Sequence, residues 1–259
     1  MSSNKLVNKK ERLMKAIPFQ VIDTEYNGRH ISRAALIIQG SYDKITNNVF
    51  YQIDTGAPTT HIFSGVFGEV KKGEIKTVYE DVALPVSPMQ GIGAHYNQEQ
   101  INVVGIVGMD FLTNFNGSFG FDFKQNAIIF ECESNVWLDY RLIGGHIYLG
   151  GVKVNGQLID NVMYDSGCSA FTIALDCDEP PSSFSEKLTL PGSFGETSDV
   201  YLNKGEFKIQ FGDVEILFNE IAESSNKYDG MKVAMMGNAL LDKMVIFFRN
   251  DGKYTVISK

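Results

Sequence analysis

The chain has 259 residues, a formal net charge of −8 and a pI near 5.1, which argues against nucleic acid as a partner because its phosphates would be repelled. Hydrophobic residues make up 44% and aromatic residues 12%, with 25 glycines for turns, so the composition is that of a globular protein. No apolar run approaches the length of a membrane-spanning helix, and the chain is long enough for two domains or one large all-β domain.

The chain opens with a Lys-rich segment, residues 5–15, for which a helix and a disordered tail both remain open. No apolar core follows this charged start before Ala16, so the sequence predicts no secretory signal and, by default, a cytoplasmic protein. Residues 1–29 could also serve as a short prosegment, although nothing in them marks a cleavage point.

Strand-type patterning dominates from there on. Short apolar runs rich in Val, Ile, Phe and Tyr are separated by Gly, Asn, Asp and Ser, as in chains built from many short strands. Helical periodicity is weak and confined to short stretches such as 109–115 and 238–244. The pattern therefore predicts an all-β fold.

Two of the strand-like runs end in an Asp-hydroxyl-Gly triplet, Asp54-Thr55-Gly56 and Asp165-Ser166-Gly167. One such triplet has little weight, because it arises by chance in roughly one chain of this length in ten. Two copies, each followed by an Ile at the same distance, at Ile62 and Ile173, are far less easily explained by chance. They indicate a site that takes one Asp from each half of the chain.

The similarity between the halves extends beyond the triplets and indicates an internal duplication. The matching segments are 36–40 with 147–151, 103–112 with 233–241, and 121–126 with 246–252. In the second copy the pair Asn155-Gly156 predicts a hairpin turn before the Asp-bearing strand. We place the boundary near residues 133–140, which gives an N-terminal lobe of residues 1–137 and a C-terminal lobe of residues 138–259.

Paired aspartates suit acid–base chemistry. If the halves are related by a two-fold axis, Asp54 and Asp165 lie side by side, and two like charges at that distance share one proton. One carboxyl then takes a proton from a water while the other donates to a substrate carbonyl, which suits amide hydrolysis. The alternative is that each Asp only caps a turn; the duplicated pattern favours catalysis.

These residues resemble the aspartic proteases of the pepsin and retropepsin clan, over nearly the whole chain from about residue 30. The resemblance rests on the two triplets and on the apolar-apolar-Gly signatures that end at Gly108 and Gly237. It implies a two-lobed pepsin-like fold on one chain, hence a monomer, with Asp54 and Asp165 catalytic and no cofactor or metal. It also implies supporting roles. Gly108 and Gly237 hold the Asp loops from behind, and the hydroxyls of Thr55 and Ser166 interlock across the axis. The triplet glycines Gly56 and Gly167 support the active site.

The family closes its cleft with a hairpin flap. A weak internal match, 73–79 against 195–201, suggests flap strands in either half, with tips near Gly73 and near Phe194-Gly195. A further turn at 90–93 competes for this role. The Tyr-Gly pair usual in the pepsin flap does not occur in this chain, which leaves substrate clamping open.

Other chemistries have weaker support. The four histidines, His30, His61, His95 and His146, lack metal-ligand spacing, and surface or core roles are favoured. Neither Cys168 nor Ser166 has the sequence context of a nucleophile. Three cysteines are an odd count, which favours thiols, with a Cys168–Cys177 pair left open.

Two function classes follow. The first is an aspartic endopeptidase acting on peptide or protein substrates, without nucleic acid or membrane as a partner. The second is a catalytically silent module of the same fold that binds peptides or proteins. The intact triplets favour the enzyme, whereas Cys168 and the missing Tyr-Gly pair favour the binding module.

Overall fold

The computed structural model describes most of the chain from Ala16 onward. The described residues are 16–26, 29–42, 45–63, 73–77, 83–86, 88–89, 102–113, 118–130, 132–168, 171–191, 197–224, 227–228 and 231–259. They form 25 strands, one single-turn α-helix and one 3₁₀ helix, which confirms the all-β prediction. The Lys-rich segment 5–15 lies outside the described residues.

The first copy begins with β1 and ends with β11. Its elements are β1 (Ala16–Pro18), β2 (Gln20–Tyr26), β3 (Arg29–Tyr42), β4 (Ile45–Ile53), β5 (His61–Phe63), β6 (Gly73–Thr77), β7 (Ala83–Val86), β8 (Pro88–Met89), β9 (Asn102–Val107), α1 (Met109–Leu112), β10 (Ser118–Asp122) and β11 (Ala127–Ile129).

The second copy begins with β12. Its elements are β12 (Leu138–Ile143), β13 (His146–Leu149), β14 (Val152–Val154), β15 (Gln157–Leu158), β16 (Val162–Tyr164), β17 (Ile173–Asp176), β18 (Glu186–Pro191), β19 (Thr197–Phe211), β20 (Val214–Ser224), β21 (Lys227–Tyr228), β22 (Met231–Lys232), β23 (Ala234–Met236), the 3₁₀ helix (Asn238–Asp242), β24 (Met244–Arg249) and β25 (Lys253–Ser258).

In the described part of the chain these strands form two large sheets and one small hairpin. An eight-stranded sheet lies within the first copy, in the order β7-β6-β3-β4-β9-β5-β8, with β2 paired to β3. A 15-stranded sheet runs β1-β11-β10-β24-β25-β12-β13-β16-β23-β17-β20-β19-β14-β15, with β18 paired to β19. Strands from both copies therefore share one sheet, joined where β10 pairs antiparallel with β24.

The hairpin predicted at Asn155-Gly156 is confirmed. Val154 pairs with Gln157, so the two residues between them form the turn that joins β14 to β15. Asn155 has φ 49° and Gly156 has φ 82°, and these positive values are those that a two-residue turn of this kind requires.

The two short helices follow the predicted glycines. Gly108 precedes α1 and Gly237 precedes the 3₁₀ helix, each in an extended conformation. Both helices are shorter than the segments predicted from the sequence. Their apolar side chains are buried, so packing and not intrinsic helix propensity holds them.

The central core lies where the copies meet. The rings of Phe121, Tyr164, Phe248 and Tyr254 are fully buried, and neighbouring ring centroids lie 5.5–6.3 Å apart. Such tilted and stacked ring pairs stabilise beyond the area that they bury. This aromatic cluster lies beneath the second Asp loop, since Tyr164 directly precedes Asp165.

Residues 16–26 are built into the fold. Ile17 pairs with Ile128 in β11 and is fully buried, and Val21 pairs with Leu36 in β3. The three cysteines are thiols, so the Cys168–Cys177 disulfide left open by the sequence is not formed.

Candidate active site

The same three-strand arrangement positions each Asp loop. In the first copy, β4 leads into Asp54 and runs parallel to β9, with Ile53 opposite Val107, while β5 leaves the loop antiparallel to β9. In the second copy, β16 leads into Asp165 parallel to β23, and β17 leaves antiparallel to β23. Each Asp thus lies at the end of a central strand whose neighbours fix its direction.

Backbone hydrogen bonds tie each Asp to the strand beside it. The N–H of Asp54 donates to the carbonyl of Val107 at 3.0 Å, and the N–H of Asp165 donates to the carbonyl of Met236 at 2.9 Å. Both aspartates are half-buried.

The two carboxyl groups face each other's glycine. A Cβ atom placed on Gly56 would lie 2.5 Å from Cγ of Asp165, and one placed on Gly167 would lie 2.6 Å from Cγ of Asp54. Only glycine, which has no side chain, allows this approach. The loops that carry the two triplets therefore meet reciprocally and bring the carboxyl groups of both copies to one place.

Four buried hydrogen bonds hold this arrangement, and they join the loop that carries Thr55 to the loop that carries Ser166. The N–H of Thr55 donates to Ser166 Oγ at 2.9 Å, and the N–H of Ser166 donates to Thr55 Oγ1 at 2.9 Å. Each hydroxyl then donates across to the opposite strand, Thr55 to the carbonyl of Tyr164 at 3.0 Å and Ser166 to that of Ile53 at 3.1 Å. Both hydroxyl residues are fully buried, so these bonds have no competition from water.

Burial and mutual repulsion decide the electrostatics of the pair. Burial raises the pKa of Asp54 well above its usual value, and the negative charge of Asp165 and a hydrogen bond between the two side chains raise it further. The N–H of Gly56 donates to Asp54 Oδ1 at 2.7 Å and opposes this shift, but it is a smaller effect. On the other side the N–H of Gly167 donates to Asp165 Oδ1 at 2.8 Å. Two carboxyl groups this close share one proton.

The signature glycines lie against the Asp loops. A Cβ atom on Gly108 would lie 2.5 Å from the carbonyl oxygen of Ala57, and one on Gly237 would lie 2.6 Å from that of Cys168. The residues that follow these glycines then donate their N–H groups to the same two carbonyls, at 2.9 and 2.8 Å. The family resemblance implied that these glycines lie behind the Asp loops, and they do.

Two side chains support the loops in ways that the sequence did not indicate. Oδ1 of Asp110 accepts from the N–H of Thr60 at 2.8 Å and from its hydroxyl at 2.6 Å, which fixes the end of the first loop. In the second copy, Nδ2 of Asn238 donates to the carbonyl of Ser166 at 2.6 Å. The sequence had indicated only that these residues lie in the short helical stretches 109–115 and 238–244; their distance along the chain from the residues that they contact, 50 and 72 residues, concealed the contacts.

Neither residue after the triplet glycines supplies a hydroxyl to the carboxyl groups. Ala57 is buried and Cys168 is half-buried, packed against an apolar cluster that includes Phe171 and Leu188. Tyr164 places its hydroxyl in the core, where it has no hydrogen-bond partner among the described residues. Burial, and next the charge of Asp165, raise the pKa of this tyrosine.

The flap candidates fall differently in the two copies. Gly73 begins β6 and pairs with Val86, so it lies at the end of the β6–β7 hairpin opposite the connecting segment 78–82, and it is not the tip of that hairpin. The reason is the pairing register, which the short sequence match did not reveal. Phe194 and Gly195 lie outside the described residues, in the segment that connects β18 to β19.

Of the four histidines, His95 lies outside the described residues, and the other three are placed as follows. His61 is buried in β5 with Nδ1 3.1 Å from the carbonyl of Thr59, and burial lowers its pKa. His146 is buried in β13, and His30 is exposed near Asp23. In the described part of the chain, His, Cys, Asp and Glu side chains form no cluster of three or more that could bind a metal ion.

Comparison with known proteins gives no match to a family model and no significant match to a curated protein. Among the described helices, neither is long and apolar enough to cross a membrane.

Proposed function

We propose that the chain is an aspartic endopeptidase with the two-lobed fold of the pepsin clan. The observation that carries the proposal is the reciprocal approach of the two triplets, in which each carboxyl group lies against the glycine of the other copy. A turn-capping Asp has no need of a second Asp loop, whereas a proton-sharing pair requires it.

The chemistry follows from a pair of carboxyl groups that shares one proton. Asp54, whose pKa is raised by burial and by its neighbour, holds the proton and donates it to the carbonyl oxygen of the scissile peptide. Asp165 is the ionised partner and accepts a proton from the attacking water. Asp165 then passes the proton that it took from water to the leaving nitrogen, and the C–N bond of the tetrahedral intermediate breaks. A hydroxyl of the intermediate returns its proton to Asp54 as the carbonyl re-forms, which restores the pair.

The fixed geometry of the loops supports this assignment. The hydroxyls of Thr55 and Ser166 are fully committed to hydrogen bonds between the copies, so they hold the carboxyl groups and are unsuited to act as nucleophiles. The substrate is a peptide or protein bound by a monomer, and the mechanism uses no cofactor.

A peptide-library or casein cleavage assay tests the proposal. The parent should cleave with an optimum in the acidic to near-neutral range, and Asp54→Asn and Asp165→Asn should each abolish cleavage while folding normally, because the dyad works as a unit. Thr189→Ala, which changes an exposed strand position with an exposed partner, is the matched control and should cleave as the parent does.

A second candidate is a protease-fold module that binds peptides without cutting them. The observation in its favour is that Ala57 and Cys168 give the carboxyl groups no hydroxyl donor. A parent that binds library peptides but cleaves none between about pH 3 and pH 7.5, the range over which carboxyl and His groups titrate, would establish this alternative.

A further inference from the structure

All four hydrogen-bonding groups of Ser166 are engaged, and one of them by a side chain outside the Asp loops. Its N–H and its hydroxyl, as acceptor and as donor, bind the first copy through Thr55 and Ile53. Its carbonyl oxygen accepts from Nδ2 of Asn238 at 2.6 Å. Asn238 therefore holds the remaining group of the residue that joins the copies.

The carbonyl that Asn238 binds belongs to the same planar peptide as the N–H of Gly167. That N–H donates to Asp165 Oδ1 at 2.8 Å. The Cα of the same glycine faces the other carboxyl group, because a Cβ atom there would lie 2.6 Å from Cγ of Asp54. One peptide plane thus touches both aspartates, and Asn238 fixes its orientation from behind.

Asn238 is kept in place despite an unfavourable feature. It is fully buried, and its Oδ1 has no hydrogen-bond partner among the described residues. Turning the amide over would place Oδ1 against the carbonyl of Ser166, two acceptors in contact. A buried polar atom left without a partner is rare in folded proteins, and here it accompanies the Nδ2 contact to the loop.

The first copy has no equivalent of this side chain. Its counterpart is Met109, since the backbone N–H groups of Met109 and Asn238 donate to the carbonyls of Ala57 and Cys168, respectively. Met109 is also buried, but a thioether has no N–H or O–H to donate. The anchor therefore distinguishes the Asp165 side of the pair from the Asp54 side.

We propose that Asn238 is a positioning residue that makes the dyad asymmetric. By donating to the carbonyl of Ser166, it orients and polarises the peptide so that the N–H of Gly167 stabilises the ionised carboxylate of Asp165. The shared proton is then left on Asp54. This inference rests on the proposed function, since it assigns roles within the same pair.

Carboxyl titration followed by ¹³C NMR, on protein labelled at aspartate, tests the inference without any turnover. Hydrogen exchange of the Gly167 amide and the pH dependence of kcat/KM are measured on the same proteins. The variants are Asn238→Ala, which removes the donor, and Asn238→Asp, which keeps the size and donates only when its carboxyl is protonated. Met109→Leu is the matched control, because it changes the counterpart side chain without adding or removing a donor.

Asn238→Ala should raise the pH at which the dyad loses its first proton, because the charged form loses support. The Gly167 amide should exchange hydrogen about tenfold faster, because the hydrogen bond that holds its peptide in place is lost. The acid limb of kcat/KM should move to higher pH. Asn238→Asp should match the parent at acid pH and approach Asn238→Ala as the pH rises.

The inference is overturned if Asn238→Ala folds and leaves both the titration and the Gly167 exchange as in the parent. It is equally overturned if Met109→Leu moves them by the same amount, since the effect would then come from general loosening. If Asn238→Ala fails to fold, the Asn238→Asp comparison between acid and neutral pH decides. A parent that titrates as described but cleaves nothing would refute the proposed function and leave the role of Asn238 standing.

Discussion

Removing the Ser166 hydroxyl should weaken the contact between the two copies and so lower the free energy of unfolding. Ser166→Ala deletes an acceptor for the N–H of Thr55 and a donor to the carbonyl of Ile53, at 2.9 and 3.1 Å. Ser166 and Ile53 are fully buried, so water cannot replace the lost partners. Each buried group left without a partner costs about 1–3 kcal/mol, so for two groups we expect a loss of about 2–6 kcal/mol in the free energy of unfolding.

The assay is urea unfolding at fixed pH, followed by fluorescence of Trp137 and by circular dichroism, with coincident transitions as the check on two-state behaviour. A loss of this size corresponds to a Tm lower by about 4–24 °C. Thr55→Ser is the matched control, because it lies in the same interface and keeps its hydroxyl bonds to the second copy.

The control should lose about 1 kcal/mol for one buried methyl group. If Ser166→Ala changes the free energy of unfolding by less than about 0.5 kcal/mol, the level of an ordinary surface substitution, these bonds do not hold the copies together. A loss no greater than that of Thr55→Ser would lead to the same conclusion.

Four further predictions concern the loops and their titration. Gly108→Val and Gly237→Val should each lose about 1–3 kcal/mol or more of stability, because the added atoms would strike loop carbonyls 2.5–2.6 Å away; melts equal to the parent would show that these contacts are unimportant. Asp54→Asn should raise Tm at neutral pH by a few degrees while abolishing cleavage: the folded pKa is raised, so the stability that Asp54 contributes is present at low pH and lost as the pH rises through that pKa. An unchanged or lower Tm at pH 7.5 would contradict this. His61 has a lowered folded pKa, so stability is lost as the pH falls from about 6.5 towards that value; His61→Gln should flatten this part of the stability–pH curve, and a curve of unchanged slope would contradict it. Ala57→Ser should move the acid limb of the pH–rate profile downward by adding a donor to the charged pair, whereas no shift or an upward one would show that residue 57 does not tune the dyad.

The fold class, one hairpin turn and the duplication could be predicted from the sequence alone. Apolar runs separated by turn residues predicted an all-β chain, and Asn155-Gly156 predicted a two-residue hairpin turn, because local sterics and burial dictate these features over a few residues. The repeated triplets indicated that two aspartates belong together. That inference needed no geometry, since a duplicated pattern predicts duplicated structure.

Pairing register and long-range contacts could not be predicted from the sequence. A short match suggested a hairpin tip at Gly73, but β6 pairs so that the connecting segment lies at the other end. The contact between Asn238 and Ser166 joins two residues that lie 72 positions apart in the chain, and the local sequence around either residue does not predict it.

The difference between the surroundings of the two aspartates is likewise a property of the tertiary structure. Asp54 and Asp165 stand in nearly identical triplets, so the sequence makes them equivalent. Asn238 holds the peptide beside Asp165, whereas its counterpart in the first copy is Met109, and this difference depends on what the folded chain places around each carboxyl group. The physical reason is that a carboxyl group's pKa depends on its surroundings within a few ångströms, whatever their distance along the chain.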